Sequence, residues 1–243
     1  MTRLLTIDTN DLYKKRELLE QIVTEQNPKQ IELELCIYDT LTEISVAYHD
    51  KITRRAEEVT LAIHALANEP IEQVTRKGRA SIISVLDKIG RHRPAFIIGF
   101  NVDVIQHDKY LWNGNHTNPP VGMSILDPEA TPYLNDLARK DNATILDQHG
   151  IIRQTRTYLT ELDLHQVPQF FDDTSKSIYE KFRIHANTRH SYSRAASWFM
   201  PGTIWYTLSE ETSHIYRFGG VDPADRGKIT FCTLEEFSEL KES

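Results

Sequence analysis

Residues 95–100, Ala-Phe-Ile-Ile-Gly-Phe, form a continuous apolar run. A run without polar alternation reads as a central strand buried on both faces, so its sheet must be covered by other elements. The flanking sequence supplies helical patterns. Residues 69–90 place Ile71, Val74, Ile82, Val85, Leu86 and Ile89 on one side, with Pro70 in the first turn, where a missing N–H costs little. Residues 131–140 form another helix with Tyr133, Leu134 and Leu137 inward, and residues 192–199 a third. Strands are expected at 143–146 and 151–152, separated by the turn Asp147-Gln148-His149-Gly150. The β-prone segment 203–208 pairs with 214–218 through a turn at 210–213. The expected fold class is α/β, a mixed sheet flanked by helices.

Ahead of this lies a smaller part. Residues 10–25 carry Leu12, Leu18, Leu19, Ile22 and Val23 at helical spacing, ended by Asn27-Pro28. Residues 30–38 alternate Ile31, Leu33, Leu35 and Ile37 with polar positions, which predicts a strand, and Ile44, Val46 and Tyr48 predict a second across 42–48. Residues 52–67 return to helix. The expected division is a small N-terminal α+β accessory segment over 1–68, for sensing or oligomerisation, and a main domain over 69–243. Residues 101–132, with Asn113-Gly114-Asn115 and Pro119-Pro120, form a long irregular stretch, and loops of that length in compact domains are usually functional or disordered.

Composition narrows the function classes. The chain has 243 residues with 40% hydrophobic content, enough for a core. No apolar run approaches the ~20 residues that cross a bilayer, and no secretory h-region follows Met1. Cys36 and Cys232 cannot build a disulfide framework, so a reducing, cytoplasmic setting is expected. With 28 Lys+Arg against 35 Asp+Glu, the formal charge of −7 argues against a general nucleic-acid coat and leaves room only for a local basic pocket.

There is no GxGxxG, no GxxxxGK[ST], no HExxH and no GxSxG, and the ten histidines are scattered. Three clusters stand out. At Lys140-Asp141-Asn142-Ala143 a helix end meets a strand; Asn142 suits a left-handed cap, and Asp141 is opposed by the helix dipole, so the cluster is either a plain turn or a carboxylate held for a metal. Thr188, Arg189, His190, Ser191 and Ser193 precede a helix, where hydroxyls, a guanidinium and N–H groups make either an anion site or a solvated N-cap. Ser209-Glu210-Glu211-Thr212 ends an apolar strand with two carboxylates, a charged hairpin turn or oxygen ligands for Mg²⁺ or Mn²⁺.

In order and spacing the three clusters resemble the diadenylate cyclase domain, the nucleotide-binding domain of the DNA-integrity scanning protein and its relatives. The resemblance covers residues 69–218. That family carries Asp-Gly-Ala, then Thr-Arg-His-Arg, then often Ser-Glu-Glu-Thr-Gly; here stand Asp141-Asn142-Ala143, Thr188-Arg189-His190-Ser191 and Ser209-Glu210-Glu211-Thr212-Ser213. The resemblance implies condensation of two ATP into cyclic di-AMP and two pyrophosphates with Mg²⁺ or Mn²⁺. It implies Asp141 for metal binding and 3′-hydroxyl activation, Asn142 and Ala143 beside the nucleotide, and Thr188, Arg189, His190, Ser191 and Ser209 around it. It also implies Glu210 and Glu211 for the metal or its surroundings.

Leu126 is a candidate for the base, and Arg194, one turn after His190, for replacing the family's second arginine, which is Ser191 here. A competing register takes Asp147-Gln148-His149-Gly150 as the acidic motif; Asp141 keeps the alanine and the following strand. Asn142 adds a side chain where the family has glycine. The two-fold product implies a face-to-face homodimer, each copy presenting one ATP. A nucleotide sensor without turnover on the same fold and a purely structural interaction module are the competing expectations.

Overall fold

The computed structural model describes residues 9–24, 26–67, 94–138, 142–168, 189–210 and 213–233. Among these residues seven strands form one mixed sheet in the order β2-β4-β3-β1-β5-β6-β7. They are β1 (Phe96–Phe100), β2 (Leu111–Trp112), β3 (Ala143–Leu146), β4 (Ile152–Leu159), β5 (Ile204–Leu208), β6 (Ile215–Gly219) and β7 (Ile229–Cys232). Among the described residues only β1 and β3 run parallel, Ile97 opposite Ala143, and every other pairing is antiparallel. The expected mixed α/β class is what the chain adopts.

The alternation of the central strands sorts their side chains between two cores. Phe96, Ile98, Phe100, Tyr206 and Leu208 face α1 (Thr9–Val23), α2 (Pro28–Ala67) and α3 (Thr131–Leu137). Ile97, Ile145, Trp205, Tyr216 and Phe218 face α4 (Arg189–Phe199). β1, β5 and β6 are buried along their whole length because helices cover both faces. Gly99 is required by that packing: a Cβ there would lie 2.7 Å from a ring carbon of Trp205, its cross-strand neighbour.

The N-terminal hairpin expected at 30–48 is absent. A single 40-residue helix, α2, runs through both supposed strands. Ile31, Leu33, Leu35 and Ile37 happen to alternate, but the positions that bury Leu33, Ile37, Tyr38, Leu41, Ile44 and Ser45 recur every three to four residues. Glu34, polar in the strand pattern, is fully buried and held by Arg217 of β6, with Nε to Oε2 at 2.7 Å and Nη2 to Oε1 at 3.1 Å; Tyr206 also donates to Oε2. Burying a carboxylate is tolerable only with such partners. Leu19, Val23, Leu33, Tyr38 and Leu41 belong to the same core as Phe96 and Tyr206, so α1 and α2 pack on the sheet itself.

Two further expectations change. Residues 152–159 make an eight-residue strand, β4, longer than the 151–152 element expected, and Tyr133 is 44% exposed instead of inward. Only Leu134 and Leu137 of α3 are buried, the one turn of this seven-residue helix that faces the core shared with Phe96 and Ile98. The helix expected over 69–90 lies outside the described residues. Among the described residues no helix is long and apolar enough to cross a membrane.

Candidate functional site

α4 lies close on the sheet because its inner side is made of small residues: Ser193, Ala195, Ala196 and Ser197 are all buried. The Thr207 hydroxyl donates to Ser193 Oγ at 2.6 Å, and Gly227 N–H donates to Ser197 Oγ at 3.0 Å, fixing the helix against β5 and the β6–β7 connection. Gly219, with φ +77°, belongs to the same contact; a Cβ there would sit 2.6 Å from the Thr203 carbonyl and 2.9 Å from Ser197 Cβ. The first turn of α4 is thereby brought over one end of the sheet.

That end is built from the beginnings of β1 and β3 and the ends of β4 and β5. Thr157, Ala143, Ile97 and Thr207 stand side by side across the four strands. Between this row and α4 opens a cavity of about 400 Å³, floored by Ile97, Ala143 and Thr157 and walled by Tyr158, Leu159, Arg189, Tyr192 and Glu210. Alanine at 143 leaves the floor open. Arg189 and Tyr192, three residues apart, share one helix face. The Ser209 N–H donates to the His214 carbonyl, closing the β5–β6 connection and carrying Glu210 to the cavity wall.

Arg189 Nη1 lies 2.8 Å from Glu210 Oε2, with side chains 20% and 35% exposed. The guanidinium and the N-terminal end of α4 bring positive potential to the cavity, and Glu210 tempers it. His190 turns away from the cavity wall to meet Tyr216 edge-on, ring centroids 4.5 Å apart at 79°. Its Nε2 is enclosed without a hydrogen-bond partner. Burial, then the charges of Arg189 and His214, push the imidazole down to about 4, so it is neutral at pH 7.

One member of each sequence cluster therefore meets at one cavity: Ala143, Arg189 and Glu210. Asn142 adjoins Ala143 and is half-buried. Asp141, Thr188 and Glu211 lie outside the described residues. Ser191 and Arg194 are half-buried on α4, and Ser209 is buried in the turn; none of the three lines the cavity. Leu126 is elsewhere, 38% exposed beside Ile125, which packs in the α1–α2 core.

Asp147, the competing acid, follows the far end of β3 and closes its own turn. Its Oδ1 accepts from His149 N–H (2.8 Å) and Ile151 N–H (3.0 Å), and its Oδ2 from Arg153 Nε (2.8 Å). Burial works against its ionised form, but these bonds outweigh it and hold the pKa below the usual value. Sequence reasoning did not identify Thr157, Tyr158, Leu159 or Tyr192 as lining residues. Among the described residues no group of three His, Cys, Asp or Glu side chains is arranged to hold a metal.

Compared with protein-family models the chain matches none, and no curated protein matches it. What the cavity binds has to be read from the side chains around it.

Proposed function

We propose that this cavity binds ATP and that two copies of the chain, placed face to face, condense two ATP molecules into cyclic di-AMP with release of two pyrophosphates. The observation that carries the proposal is the convergence of Ala143, Arg189 and Glu210, 46 and 21 positions apart, on one cavity in the order the resemblance requires. A cytoplasmic setting, where ATP is available, goes with it.

The side chains suit a nucleotide. Arg189 and the first turn of α4 would hold phosphate oxygens, a role that guanidinium and helix N-terminus share. A phosphate reaching Arg189 would take the place of Glu210 Oε2 and release that carboxylate. Tyr158 (47% exposed) and Tyr192 (37% exposed) present ring surface on which a base can stack. Trp112, 62% exposed on β2, stands 6.1 Å from the Tyr158 ring, and this aromatic surface at the cavity mouth is what a second copy would cover.

In the reaction the 3′-oxygen of one ATP forms a bond to the α-phosphorus of the other. The bond from that phosphorus to the bridging oxygen breaks, pyrophosphate leaves with the electron pair, and the hydroxyl proton passes to Asp141. Most of the rate enhancement in such transfers comes from positioning and charge stabilisation. Glu210 supplies one described carboxylate, Glu211 follows it in sequence, and Asp141 stands two positions before Ala143 of the cavity floor; carboxylate oxygens are the donors that Mg²⁺ and Mn²⁺ prefer. When bound there, the ion would stabilise charge on the α-phosphate and the leaving pyrophosphate.

The test is incubation of purified protein with ATP and Mn²⁺ or Mg²⁺, with product identified by mass spectrometry and ATP binding measured by calorimetry. Cyclic di-AMP is expected; folded protein that makes none at high concentration refutes turnover. Asp141→Asn is expected to abolish turnover with the fold intact, and unchanged turnover removes Asp141 from its role. One observation favours a second reading, a nucleotide sensor: Arg189 is already engaged by Glu210, and Ser191 supplies no further charge. It predicts saturable ATP binding without product.

A further inference from the structure

The long irregular stretch singled out in the sequence, residues 101–132, builds one wall of a second cavity, of about 370 Å³. Asn118, Pro119 and Pro120 of this stretch face Tyr133 and Asp136 of α3 and Arg156 of β4 across it. The wall is fixed to the sheet. Asn115 and Thr155 exchange backbone hydrogen bonds of 2.7 and 3.1 Å, and Gly122 N–H donates to the Ile152 carbonyl at 2.8 Å. A cavity with pinned walls is largely preformed, as small-molecule sites usually are.

β4 carries a bulge here. Ala143 and Ile145, two apart on β3, pair with Thr157 and Gln154, three apart on β4. Within it Arg156 adopts φ +54°, a conformation that costs a side-chain-bearing residue energy. Bulges re-aim side chains, and this one projects Arg156 into the cavity while Thr155 and Thr157 on either side stay buried.

The polar groups are uncommitted. Among the described residues, the side chains of Arg156, Asp136, Tyr133 and Asn118 make no hydrogen bond or ion pair with the rest of the chain. These side chains are exposed, so opposite charges share one open, solvent-facing groove without pairing with each other. A ligand satisfying both must itself carry opposite charges, an anionic group for Arg156 and a cationic donor for Asp136. A guanidinium takes a carboxylate through two parallel hydrogen bonds, and a carboxylate takes an ammonium readily. Tyr133, turned outward where the sequence pattern placed it inward, offers ring surface together with Pro119 and Pro120 for an apolar side chain.

We propose that this cavity binds a free α-amino acid, its carboxylate on Arg156, its ammonium on Asp136 and its side chain against Tyr133. The test titrates the full chain with each free L-amino acid at millimolar concentration by calorimetry. Saturable binding of at least one is expected. With unaltered protein, the N-acetyl derivative, which lacks the ammonium, and the amide, which lacks the carboxylate, should each bind at least about tenfold more weakly. Arg156→Gln and Asp136→Asn should each give a similar loss in protein shown to be folded by circular dichroism. Arg189→Gln, which alters the other cavity, should leave amino-acid binding unchanged. The proposal is overturned if no amino acid saturates the protein, or if both blocked derivatives bind as well as the parent.

Discussion

Two arginine–glutamate pairs sit on opposite faces of the sheet, and their surroundings give them different work. On the α2 face, Arg217 and Glu34 are 3% and 0% exposed, and Arg217 also donates from Nη1 to the Gly219 carbonyl at 3.0 Å. Burial pulls the Arg217 pKa down, but the Glu34 carboxylate more than reverses this and the net shift is upward. On the α4 face, Arg189 and Glu210 touch at a similar distance beside an open cavity, 20% and 35% exposed. The first pair has no room for a third party. The second can exchange partners when an anion arrives, so the same chemistry is structural in one place and a binding device in the other.

The largest effect should come from breaking the enclosed pair. Glu34→Ala strands the Arg217 guanidinium away from water, and the expected loss is about 3–5 kcal/mol in denaturant unfolding, because removing one partner of a buried pair leaves an uncompensated charge. Replacing both residues together with apolar ones of similar volume should cost far less. If the single change is nearly neutral, the contrast between the two faces is wrong.

How much of this contrast was legible beforehand depends on what each residue had to satisfy locally. The run at 96–100 was readable because a strand covered on both faces favours apolar residues throughout, and 204–208 because its β-branched and aromatic residues favour a strand. α2 was not, since Ile31, Leu33, Leu35 and Ile37 fit period two as well as a helix, and the deciding residue, Glu34, is buried only because Arg217 lies 183 positions away. Ala143, Arg189 and Glu210 were found by their order along the chain, whereas Tyr192 and Tyr158 look like ordinary surface aromatics until α4 and β4 are brought together. Tyr133 misled for the complementary reason. Its helical spacing was right, but whether a face is covered is decided by the neighbour, and in α3 only Leu134 and Leu137 are covered.

A middle-sized effect separates the two faces by pH. His190, beside the cavity pair, has its pKa lowered to about 4 from an ordinary value near 6.5. The unfolded chain therefore takes up a proton as pH falls below about 6.5, while the folded chain resists until about pH 4. Stability is complete above that window, is lost across it, and changes no further below it through this group. The loss attributable to His190 should reach at most about 3 kcal/mol. Comparing the pH slope of denaturant midpoints for the parent and His190→Asn checks this; equal slopes between pH 4 and 6.5 would show that His190 is not the titrating group.

The smallest effect on folding should come from the cavity pair, and it sharpens the comparison most. Glu210→Gln removes a carboxylate that is a third exposed, so the expected change in stability is below about 1 kcal/mol. Arg189, no longer opposed, becomes a stronger anion site, so ATP measured in the absence of divalent metal should bind more tightly to Glu210→Gln than to the parent. Arg189→Gln should weaken that binding by about tenfold or more, the loss of one charge-assisted contact. Opposite shifts in affinity with near-constant stability are the signature of a partner-exchange device. A pair that merely braces α4 against the β5–β6 turn would instead show both variants losing stability together, with no gain in ATP affinity for Glu210→Gln.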